Sequence, residues 1–431
     1  MEIRDPLHGS IQVQKEEISI IDHPFFQRLR NIKQLGFSEF VFPGATHTRY
    51  LHSIGVMDIA TKVFTKLFKA EEMTPDLLRL QETVRLACLL HDIGHAPLSH
   101  TTEFVMPQVS SLNLPKRFFE GIDRQASHED YTLKSIVDSS FTESFKNVKS
   151  KFGVNPNNIA ELIIGETIEP EYFTYKGINY FPLLHQLVSS EMDCDRMDYL
   201  LRDSYFCGVS YGKFDLDWII DNLRHCTVDD KAYLGISERA VSTFDDFLLC
   251  RFHMFLMVYF HYKAVCLEHL LERYFSTSHE YTIPSNIEEY LNHDDHYLMK
   301  VLRNSENPWA NRIIRNNIPK KILETFGPSG ETKVSQLENF LQKEKIDYIK
   351  SSSSGRLSKY YDNGQVEPTK YPMKVIGESS ITKSITSIKN INEATDLFEK
   401  FSKAHTVTRI HCDFSLQTSE NQNEITRIIQ A

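Results

Sequence analysis

The segment ACLLHDIGHAPLSH, residues Ala87 to His100, decides how the rest of the sequence is interpreted. The residues before His91 are almost entirely apolar, so they are expected to form a buried helix. Gly94 and Pro97 then end that helix shortly after His91 and Asp92. An ionised Asp at the end of a buried helix is costly unless another group compensates its charge.

Two interpretations fit this position of His91 and Asp92. A metal ion would compensate both side chains at once, because neutral imidazole and carboxylate groups are ordinary ligands for Fe, Mn, Zn or Mg. Alternatively, the Asp caps a neighbouring helix and the His is a buried residue whose hydrogen bonds are satisfied. The segment by itself leaves both interpretations open.

A second histidine stands in the stretch FPGATHTRYLHSIGV, residues Phe42 to Val56. His52 lies there at the start of a predicted helix.

Acidic residues are concentrated in the stretch SEMDCDRMDYLLRD, residues Ser190 to Asp203. On a helix, Asp195, Tyr199 and Asp203 are spaced i, i+4, i+8 and share one stripe. Two carboxylates and a tyrosine do not form a packing stripe, so the pattern indicates a polar site. The alternative is a solvated helix face.

Together, His52, the His91–Asp92 pair and the distant Asp195 resemble the H…HD…D signature of HD-domain metal phosphohydrolases. The flanking sequence narrows this resemblance to the HD-domain deoxynucleoside triphosphate triphosphohydrolases, which include bacterial dNTPases and the catalytic core of the animal sterile-alpha-motif/HD enzyme. The matching segments follow one another in order and are DPLHGSIQV (Asp5 to Val13), FFQRLRNIKQLG (Phe25 to Gly36), FPGATHTRYLHS (Phe42 to Ser53), HDIGHAPLSH (His91 to His100) and DCDRMDYLLRD (Asp193 to Asp203).

The resemblance implies one divalent metal, either Mn, Fe, Mg or Zn, held by His52, His91, Asp92 and Asp195. Such a metal would polarise phosphate oxygens and activate a water molecule. The family's reaction attacks the α-phosphate of a dNTP and releases a deoxynucleoside and intact tripolyphosphate.

The resemblance also implies catalytic side chains near the metal. His100 and His128 are expected to do acid–base work, because the departing 5′ oxygen must be protonated and histidine exchanges protons near neutral pH. His95 is expected to contact phosphate, and Glu129 to orient His128 or its neighbours. For each histidine the alternative is a structural hydrogen bond.

Cations must converge on a triphosphate, which carries about four negative charges. Arg49 matches the phosphate-binding Arg of the family, and Arg196 follows the metal-binding Asp where the animal enzyme has Lys. Arg251 stands alone in an apolar helix, where a phosphate is a natural partner. Its alternative partner is an acid such as Asp246 or Glu268.

The family's sugar pocket is also matched in this sequence. The matching residues are Gln34, Leu35, Tyr199, Asp203 and the further aromatic Tyr259. A Tyr packed under the sugar leaves no room for a 2′ hydroxyl, so ribonucleotides are expected to be excluded. Phe260 replaces a base-contacting Gln of the animal enzyme, which leaves the base preference open.

Asp22, Gln27 and Arg30 match the guanine-reading activator site of the family. An Asp can accept from the guanine N1 and N2 groups, and an Arg can meet phosphate or O6. GTP or dGTP is therefore the expected activator. The alternative for Asp22 is a cap on the helix at Phe25, which Pro24 favours. Because related activator sites lie at subunit contacts, a homo-oligomer, either a dimer or a tetramer, is expected.

The predicted fold is mainly α, with a helical HD-domain core and a small C-terminal α+β subdomain. We expect an HD core with its N-terminal segment over residues 1–280, a helical extension over 281–350, and a linker with the α+β subdomain over 351–431. A flexible loop or linker is expected from SSSSG, Ser351 to Gly355, through further Gly and Pro up to Gly377, because of its composition. Helical spacing is found in Phe25 to Leu35, Ile54 to Phe68, Val84 to Ile93, Leu183 to Leu201, Trp218 to Leu223 and Phe244 to Phe275. Beyond the linker, we expect a strand over Ser384 to Ile391, a helix over Glu393 to Lys403 and a strand over Thr406 to Cys412.

Composition excludes several other classes of protein. With 48 Lys and Arg against 58 Asp and Glu, the formal charge is −10, which disfavours nucleic acid as the main partner. The seven cysteines form no CxxC pair, so neither a zinc ribbon nor a thioredoxin motif is present. No signal peptide or membrane span is apparent, and a cytoplasmic protein is expected.

Two other functions remain open. An HD phosphohydrolase could act on another nucleotide, such as a monophosphate, a cyclic dinucleotide or an alarmone, although the Gln34–Leu35 pair and the Tyr199 to Asp203 element disfavour this. A nucleotide-sensing or nucleic-acid-binding regulator is the other alternative, and the presence of all four metal ligands disfavours it. A local basic stripe from Arg312 to Lys321 could bind nucleic acid, and its alternative is a solvated face.

Overall fold

The computed structural model describes residues 1–431 except 120, 122, 356–360, 363–364, 367–369, 380, 383, 396, 398–404 and 431. The chain is mainly α-helical with small β-sheets, which confirms the predicted fold class. The α-helices are α1 (Ile18–Ile21), α2 (Pro24–Gln27), α3 (Arg49–Leu67), α4 (Pro75–Leu90), α5 (His128–Val137), α6 (Lys146–Phe152), α7 (Pro156–Ile164), α8 (Phe181–Val188), α9 (Cys194–Cys207), α10 (Leu216–Asn222), α11 (Val241–Met254), α12 (Tyr262–Thr277), α13 (Ile287–Tyr290), α14 (Asp295–Asn304), α15 (Pro308–Ile314), α16 (Glu331–Lys343) and α17 (Ser419–Gln430).

The strands of the described residues form two two-stranded hairpins, one six-stranded sheet and one three-stranded sheet. They are β1 (Glu2–Asp5), β2 (Gly9–Gln12), β3 (Thr174–Tyr175), β4 (Ile178–Asn179), β5 (Leu223–Val228), β6 (Lys231–Ser237), β7 (Lys320–Phe326), β8 (Tyr348–Gly355), β9 (Tyr361–Asp362), β10 (Gln365–Val366), β11 (Lys374–Glu378), β12 (Ile385–Asn390) and β13 (His405–Cys412). Strands β1 and β2 pair antiparallel, and β9 pairs with β10. The largest sheet has the order β12-β11-β6-β4-β3, with β5 also paired to β6, and the three-stranded sheet has the order β7-β13-β8.

The helices α3, α4 and α9 pack together and carry the candidate site residues. Local capping signals fix where α4 and α9 begin. Thr74 caps α4 by accepting the N–H of Leu77, with Pro75 at the first position. The Asp193 side chain caps α9 by accepting the N–H of Arg196 at 2.7 Å. By fixing where each helix begins, these caps help to position His91 and Asp92 after α4 and Asp195 in the first turn of α9.

A single glycine allows α5 to reach the end of α4. A Cβ on Gly94 would lie 2.2 Å from the carbonyl oxygen of His128 and 2.3 Å from the backbone nitrogen of Thr132. Only glycine permits this approach, so Gly94 brings the start of α5 and His128 next to the HD pair.

Two predicted helices are interrupted in the structure. The segment Leu183 to Leu201 divides into α8 and α9, because Asp193 starts a new helix between them. The segment Phe244 to Phe275 passes from α11 through a π-helical turn at Phe255–Tyr259 before α12 begins. The helical spacing of apolar residues continues across a new helix start or a π-helical turn, so this spacing does not show where a helix is interrupted. The segment Phe25 to Leu35 forms only α2 and a 3-10 turn.

The prediction of a flexible loop or linker from Ser351 to Gly377 is wrong for its first part, Ser351 to Gly355. These residues form most of β8, which pairs antiparallel with β13 from His405↔Gly355 to Cys412↔Tyr348. Alternate positions of β8 are buried: Ile349 belongs to the main core, and Ser351 on the same face is buried while Ser352 is exposed. Serine composition alone does not show that a strand partner is available elsewhere in the chain.

The C-terminal strand predictions hold, and one helix prediction falls largely outside the described residues. Strands β12 and β13 occupy the predicted positions. The predicted helix from Glu393 to Lys403 includes residues 396 and 398–403, which lie outside the described part of the chain. The domain boundaries at 280 and 350 remain a prediction.

Within the described residues, no helix has both the length and the apolar character that crossing a bilayer would take.

Candidate active site

The four predicted metal ligands converge from three elements. His52 is fully buried on α3, His91 and Asp92 follow α4, and Asp195 lies in the first turn of α9. His52 Nε2 is 2.9 Å from Asp195 Oδ1 and 3.6 Å from Asp92 Oδ2. His91 Nε2 is 3.4 Å from Asp92 Oδ1 and 3.6 Å from Asp195 Oδ1. We call these four residues the metal cluster.

Both histidine rings of the metal cluster are oriented through their Nδ1 atoms. His52 Nδ1 is hydrogen-bonded to Asp198 Oδ2 at 2.8 Å, and His91 Nδ1 donates to the carbonyl oxygen of Cys88 at 2.8 Å. The buried Nε2 atoms of both rings face the Asp195 carboxylate, but within the described part of the chain neither makes a hydrogen bond of regular geometry. A cation between them would be bound by these ring nitrogens, as in other histidine metal sites.

The charges of the metal cluster also suit a cation. Burial alone would lower the pKa of His52, but the carboxylates of Asp195 and Asp198 raise this pKa to about 9. Burial would likewise lower the pKa of His91, but the carboxylates of Asp92 and Asp195 raise this pKa to about 10. The converging carboxylates therefore draw positive charge to this point. A divalent cation bound by neutral imidazoles would supply that charge instead of the protons.

A second layer of residues behind His52 was missed by the sequence analysis. The Arg202 guanidinium donates to both oxygens of Asp198 at 2.7 and 2.9 Å, and His8 Nε2 lies 2.6 Å from Asp198 Oδ1. Arg202 also donates to Asp5 at 2.8 Å. A Cβ on Gly55 would lie 2.1 Å from Asp198 Oδ1, so glycine is required on the facing helix. The sequence signal that could have revealed this layer is the pair of opposite charges Asp198 and Arg202, which are spaced i, i+4 on α9.

Two of the three predicted phosphate-binding arginines stand at the edge of the metal cluster. Arg49 forms a buried ion pair with Asp92, and its Nε donates to Ser99 Oγ at 2.8 Å. Arg196 forms an ion pair with the capping residue Asp193. Both guanidinium groups line the cavity that holds the metal cluster.

Arg251 lies farther along the wall. Its Nη1 is 3.1 Å from Oε1 of Glu191, a buried acid that the sequence analysis did not name. Its charge acts on Tyr199, although burial is the larger effect and raises the pKa of Tyr199 to about 12. The structure therefore places Arg251 beside the predicted sugar pocket, already paired with an acid.

Three predicted catalytic histidines form a cluster next to the HD pair. The ring centroids of His95 and His128 are 3.9 Å apart and stacked, and His95 and His100 are 4.7 Å apart. Glu103, which the sequence analysis missed, bonds His128 Nδ1 with one oxygen and lies 3.2 Å from His100 Nδ1 with the other. Glu129 lines the same cavity, but the described contacts include no hydrogen bond from it to His128.

The histidine cluster keeps Glu103 ionised. Burial alone would raise the pKa of Glu103, but its hydrogen bonds with His100 and His128 hold this pKa well below the usual range. Both rings therefore have an ionised carboxylate as their hydrogen-bond partner.

The predicted sugar-pocket residues line a second cavity of about 310 Å³ that adjoins the metal-cluster cavity. Both carboxylate oxygens of Asp203 are held there, by Tyr259 Oη at 2.7 Å and by His47 Nε2 at 2.7 Å. The two cavities share the lining residues Gln34, Arg49, His100 and Tyr199. We call the second cavity the nucleoside cavity.

A buried acid from outside the HD region fixes two walls of the nucleoside cavity. Asp295 accepts the N–H of Lys33 at 2.9 Å and the N–H of Leu98 at 2.7 Å. Leu98 and Ser99 both have positive φ, near 60°, a strained conformation for residues other than glycine. Asp295 therefore holds this strained turn against the segment that carries Gln34.

The predicted activator residues share one exposed corner near α1 and α2. Arg30 donates to Gln27 Oε1 at 2.7 Å, and its guanidinium lies 3.6 Å from the centre of the Tyr50 ring. Asp22 directly follows α1 and is exposed. The alternative that Asp22 caps α2 is wrong, because His23 occupies that capping position and accepts an N–H of the first turn.

Comparison with known families agrees with this architecture. The HD domain family matches residues 49–144, which contain three of the four metal-cluster residues. A family described as an HD associated region matches residues 214–329.

Individual relatives extend the similarity over most of the chain. An uncharacterised protein of Methanocaldococcus jannaschii is 33% identical over 74% of this chain and 59% of its own length. The human deoxynucleoside triphosphate triphosphohydrolase SAMHD1 is 26% identical over 78% of this chain and 56% of its own length. The chain thus spans less than two thirds of these curated relatives.

A solved structure covers the whole fold. The crystal structure of a hypothetical protein from Aquifex aeolicus superposes with a TM-score of 0.73 at 28% identity, covering 99% of each chain. Sequence families, relatives and site geometry agree that the chain contains an HD domain over residues 49–144, followed by an HD-associated region over residues 214–329.

Proposed function

We propose that this protein hydrolyses deoxynucleoside triphosphates to deoxynucleosides and tripolyphosphate, with one divalent metal, Mn, Fe, Mg or Zn, bound by the metal cluster. The observation that carries this proposal is the junction of two cavities. One holds the metal cluster and the histidines, and the other holds the tyrosines and Asp203. A nucleotide can span this junction with its α-phosphate at the metal cluster and its sugar beyond Tyr199.

The similarity to human SAMHD1, whose name states triphosphohydrolase activity, supports the same reaction. When bound, the metal would polarise a phosphate oxygen and lower the pKa of a water molecule. Arg49 and Arg196 stand at the edge of the same cavity, where they would compensate the phosphate charges.

Glu103 and the histidines provide the proton for the leaving group in this proposal. His128 and His100 both face Glu103, so the carboxylate stabilises whichever imidazole carries the extra proton. The protonated ring would donate to the departing 5′ oxygen, and Glu103 would hold its orientation. We assign Glu103 the orienting role that the sequence analysis gave to Glu129, because Glu103 makes the hydrogen bonds.

Asp203 and Tyr199 select the sugar in this proposal. One oxygen of Asp203 accepts from Tyr259 and the other lies beside His47, so the carboxylate is fixed before substrate arrives. A fixed carboxylate is suited to accept the 3′ hydroxyl, and Tyr199 would fill the space of a 2′ hydroxyl.

We further propose that GTP or dGTP activates the enzyme at Asp22, Gln27 and Arg30, and that the protein forms a homo-oligomer, a dimer or a tetramer. The exposed Arg30–Gln27 pair supports this, because its groups are available to a ligand. A rate that does not change on addition of GTP would contradict the activation.

Product analysis tests the reaction. The protein is incubated with each dNTP and with GTP, with Mn or Mg, with and without a guanine nucleotide, and products are resolved by ion exchange. We expect deoxynucleoside and tripolyphosphate from dNTPs, and none from an Asp195→Ala variant. Release of monophosphate or pyrophosphate would contradict the proposal. Turnover of a monophosphate, a cyclic dinucleotide or an alarmone in its place would indicate another HD phosphohydrolase activity.

A further inference from the structure

Glu268 is a half-buried acid that the proposed reaction does not use. It lies on α12 and lines the nucleoside cavity together with Tyr199 and Asp203. Thr101 offers it a hydrogen bond, and no cation forms an ion pair with it among the described residues. A carboxylate that lines a cavity can accept hydrogen bonds from donor groups of a ligand bound there.

Glu268 lines the nucleoside cavity and not the cavity of the metal cluster. Gln34, Arg49 and Tyr199 line both cavities, so they mark the junction. Phe255, like Glu268, lines only the nucleoside cavity. If a phosphate occupies the junction side, as the proposed function requires, the base of the same nucleotide extends into the nucleoside cavity, whose lining includes Glu268.

We propose that Glu268 reads the Watson–Crick edge of the nucleobase and makes guanine the preferred base. An ionised carboxylate offers two acceptors side by side. Guanine alone among the four DNA bases presents two adjacent donors on that edge, N1–H and the N2 amino group. Adenine and cytosine place an acceptor nitrogen there, and thymine places one donor between two carbonyl oxygens.

The surroundings of Glu268 are consistent with this role. Burial raises the pKa of Glu268 to about 7, while the neighbouring His269 lowers it and Glu272 raises it. The two donors of guanine would stabilise the ionised form. The aromatic ring of Phe255 in the same wall offers an apolar face to the base.

The test compares dGTP with dATP in the wild-type protein and in Glu268→Gln. A Gln carries one acceptor and one donor, which matches adenine rather than guanine. We expect the wild type to bind dGTP more tightly than dATP, and Glu268→Gln to shift this ratio toward dATP by about tenfold or more. Affinities are measured by calorimetric titration in EDTA, which prevents turnover, and kcat/KM is measured with metal.

The matched control is Glu272→Gln, which removes the same charge one turn further along α12. The Glu272 side chain is 48% exposed, bonds His269 and does not line the nucleoside cavity. We expect its dGTP to dATP ratio to equal that of the wild type. Equal binding of dGTP and dATP by the wild type, or an equal shift in both variants, would overturn the proposal.

This inference rests on the proposed function, but the two can fail separately. If no dNTP is hydrolysed, the triphosphohydrolase proposal fails, and the binding ratio in EDTA still decides on Glu268. If dNTPs are hydrolysed with a ratio that Glu268→Gln leaves unchanged, only the base-reading role fails.

Discussion

Asp198 Oδ2 lies 2.8 Å from His52 Nδ1, so an acid outside the metal cluster fixes the ring that faces it. Both residues are fully buried, and the guanidinium of Arg202 compensates the charge of Asp198. This arrangement leaves His52 Nε2 directed at Asp195 and Asp92. Asp198 is therefore a positioning residue for the proposed metal site.

Replacing Asp198 with Asn is expected to weaken metal binding by about 10- to 100-fold, because the neutral side chain holds the His52 ring less firmly. Metal content after gel filtration and a calorimetric titration with Mn measure the effect. The control is His8→Gln, which contacts Asp198 but not His52. If both variants lose metal equally, Asp198 does not act through His52.

Metal binding should also stabilise the fold. Because the ligands come from α3, α9 and the end of α4, a metal bound only by the folded state adds about 2.7 kcal/mol to the free energy of unfolding at 100 times its Kd. Asp195→Asn should abolish most of this gain, whereas Asp221→Asn, an exposed partner of Lys66, should keep it. Thermal unfolding with Mn and with EDTA provides the measurement. An Mn-induced gain that persists in Asp195→Asn would place the metal elsewhere.

The role of Glu103 predicts a specific loss of rate. Glu103→Gln should lower kcat about 100-fold with little change in KM, because the carboxylate orients and charges the proton donor rather than holding substrate. Glu129→Gln is the matched comparison and should retain most of kcat. The opposite ranking of the two variants in steady-state kinetics would return the orienting role to Glu129.

Asp295 should control the shape of the nucleoside cavity. Asn at this position has one acceptor oxygen for the two N–H groups of Lys33 and Leu98, so one donor loses its partner. We expect a loss of about 1–3 kcal/mol in unfolding free energy and a lower kcat/KM for every dNTP. Metal content should remain at the wild-type level. Unaltered kcat/KM despite the stability loss would show that Asp295 does not shape the cavity.

A buried acid away from the site predicts how stability depends on pH. Burial and the nearby charge of Glu17 raise the pKa of Glu82 to about 9 in the folded protein. The unfolded chain releases this proton near pH 4.5. Between these pH values the unfolded state is favoured increasingly as pH rises, so this residue lowers stability from pH 5 toward pH 9.

Glu82→Gln removes this titration and can keep the hydrogen bond with Gln14, which is 2.7 Å long in the wild type. The variant should therefore lose less stability than the wild type between pH 5 and pH 9. Urea unfolding at pH 5, 7 and 9 measures the difference, with Glu72→Gln as an exposed control. Parallel pH curves for wild type and Glu82→Gln would show that Glu82 is ionised in the folded state.

The sequence by itself determined the mainly helical class and the identity of the residues that meet at the metal cluster. His91 and Asp92 follow a buried apolar helix whose end is marked by Gly and Pro, and Asp195 lies on the same polar stripe as Tyr199. These features are local, because capping, helical period and the cost of a buried charge act within a few turns.

Only the tertiary structure decided which side chains support those residues. Asp198 depends on His8 from the N-terminal segment, and Glu103 depends on the approach of α5 that Gly94 permits. Such contacts join residues far apart in the chain, so no local pattern specifies them. The same reason explains why the serine segment at 351–355 was not predicted as a strand. Its strand forms by pairing with β13, which lies about fifty residues further along the chain.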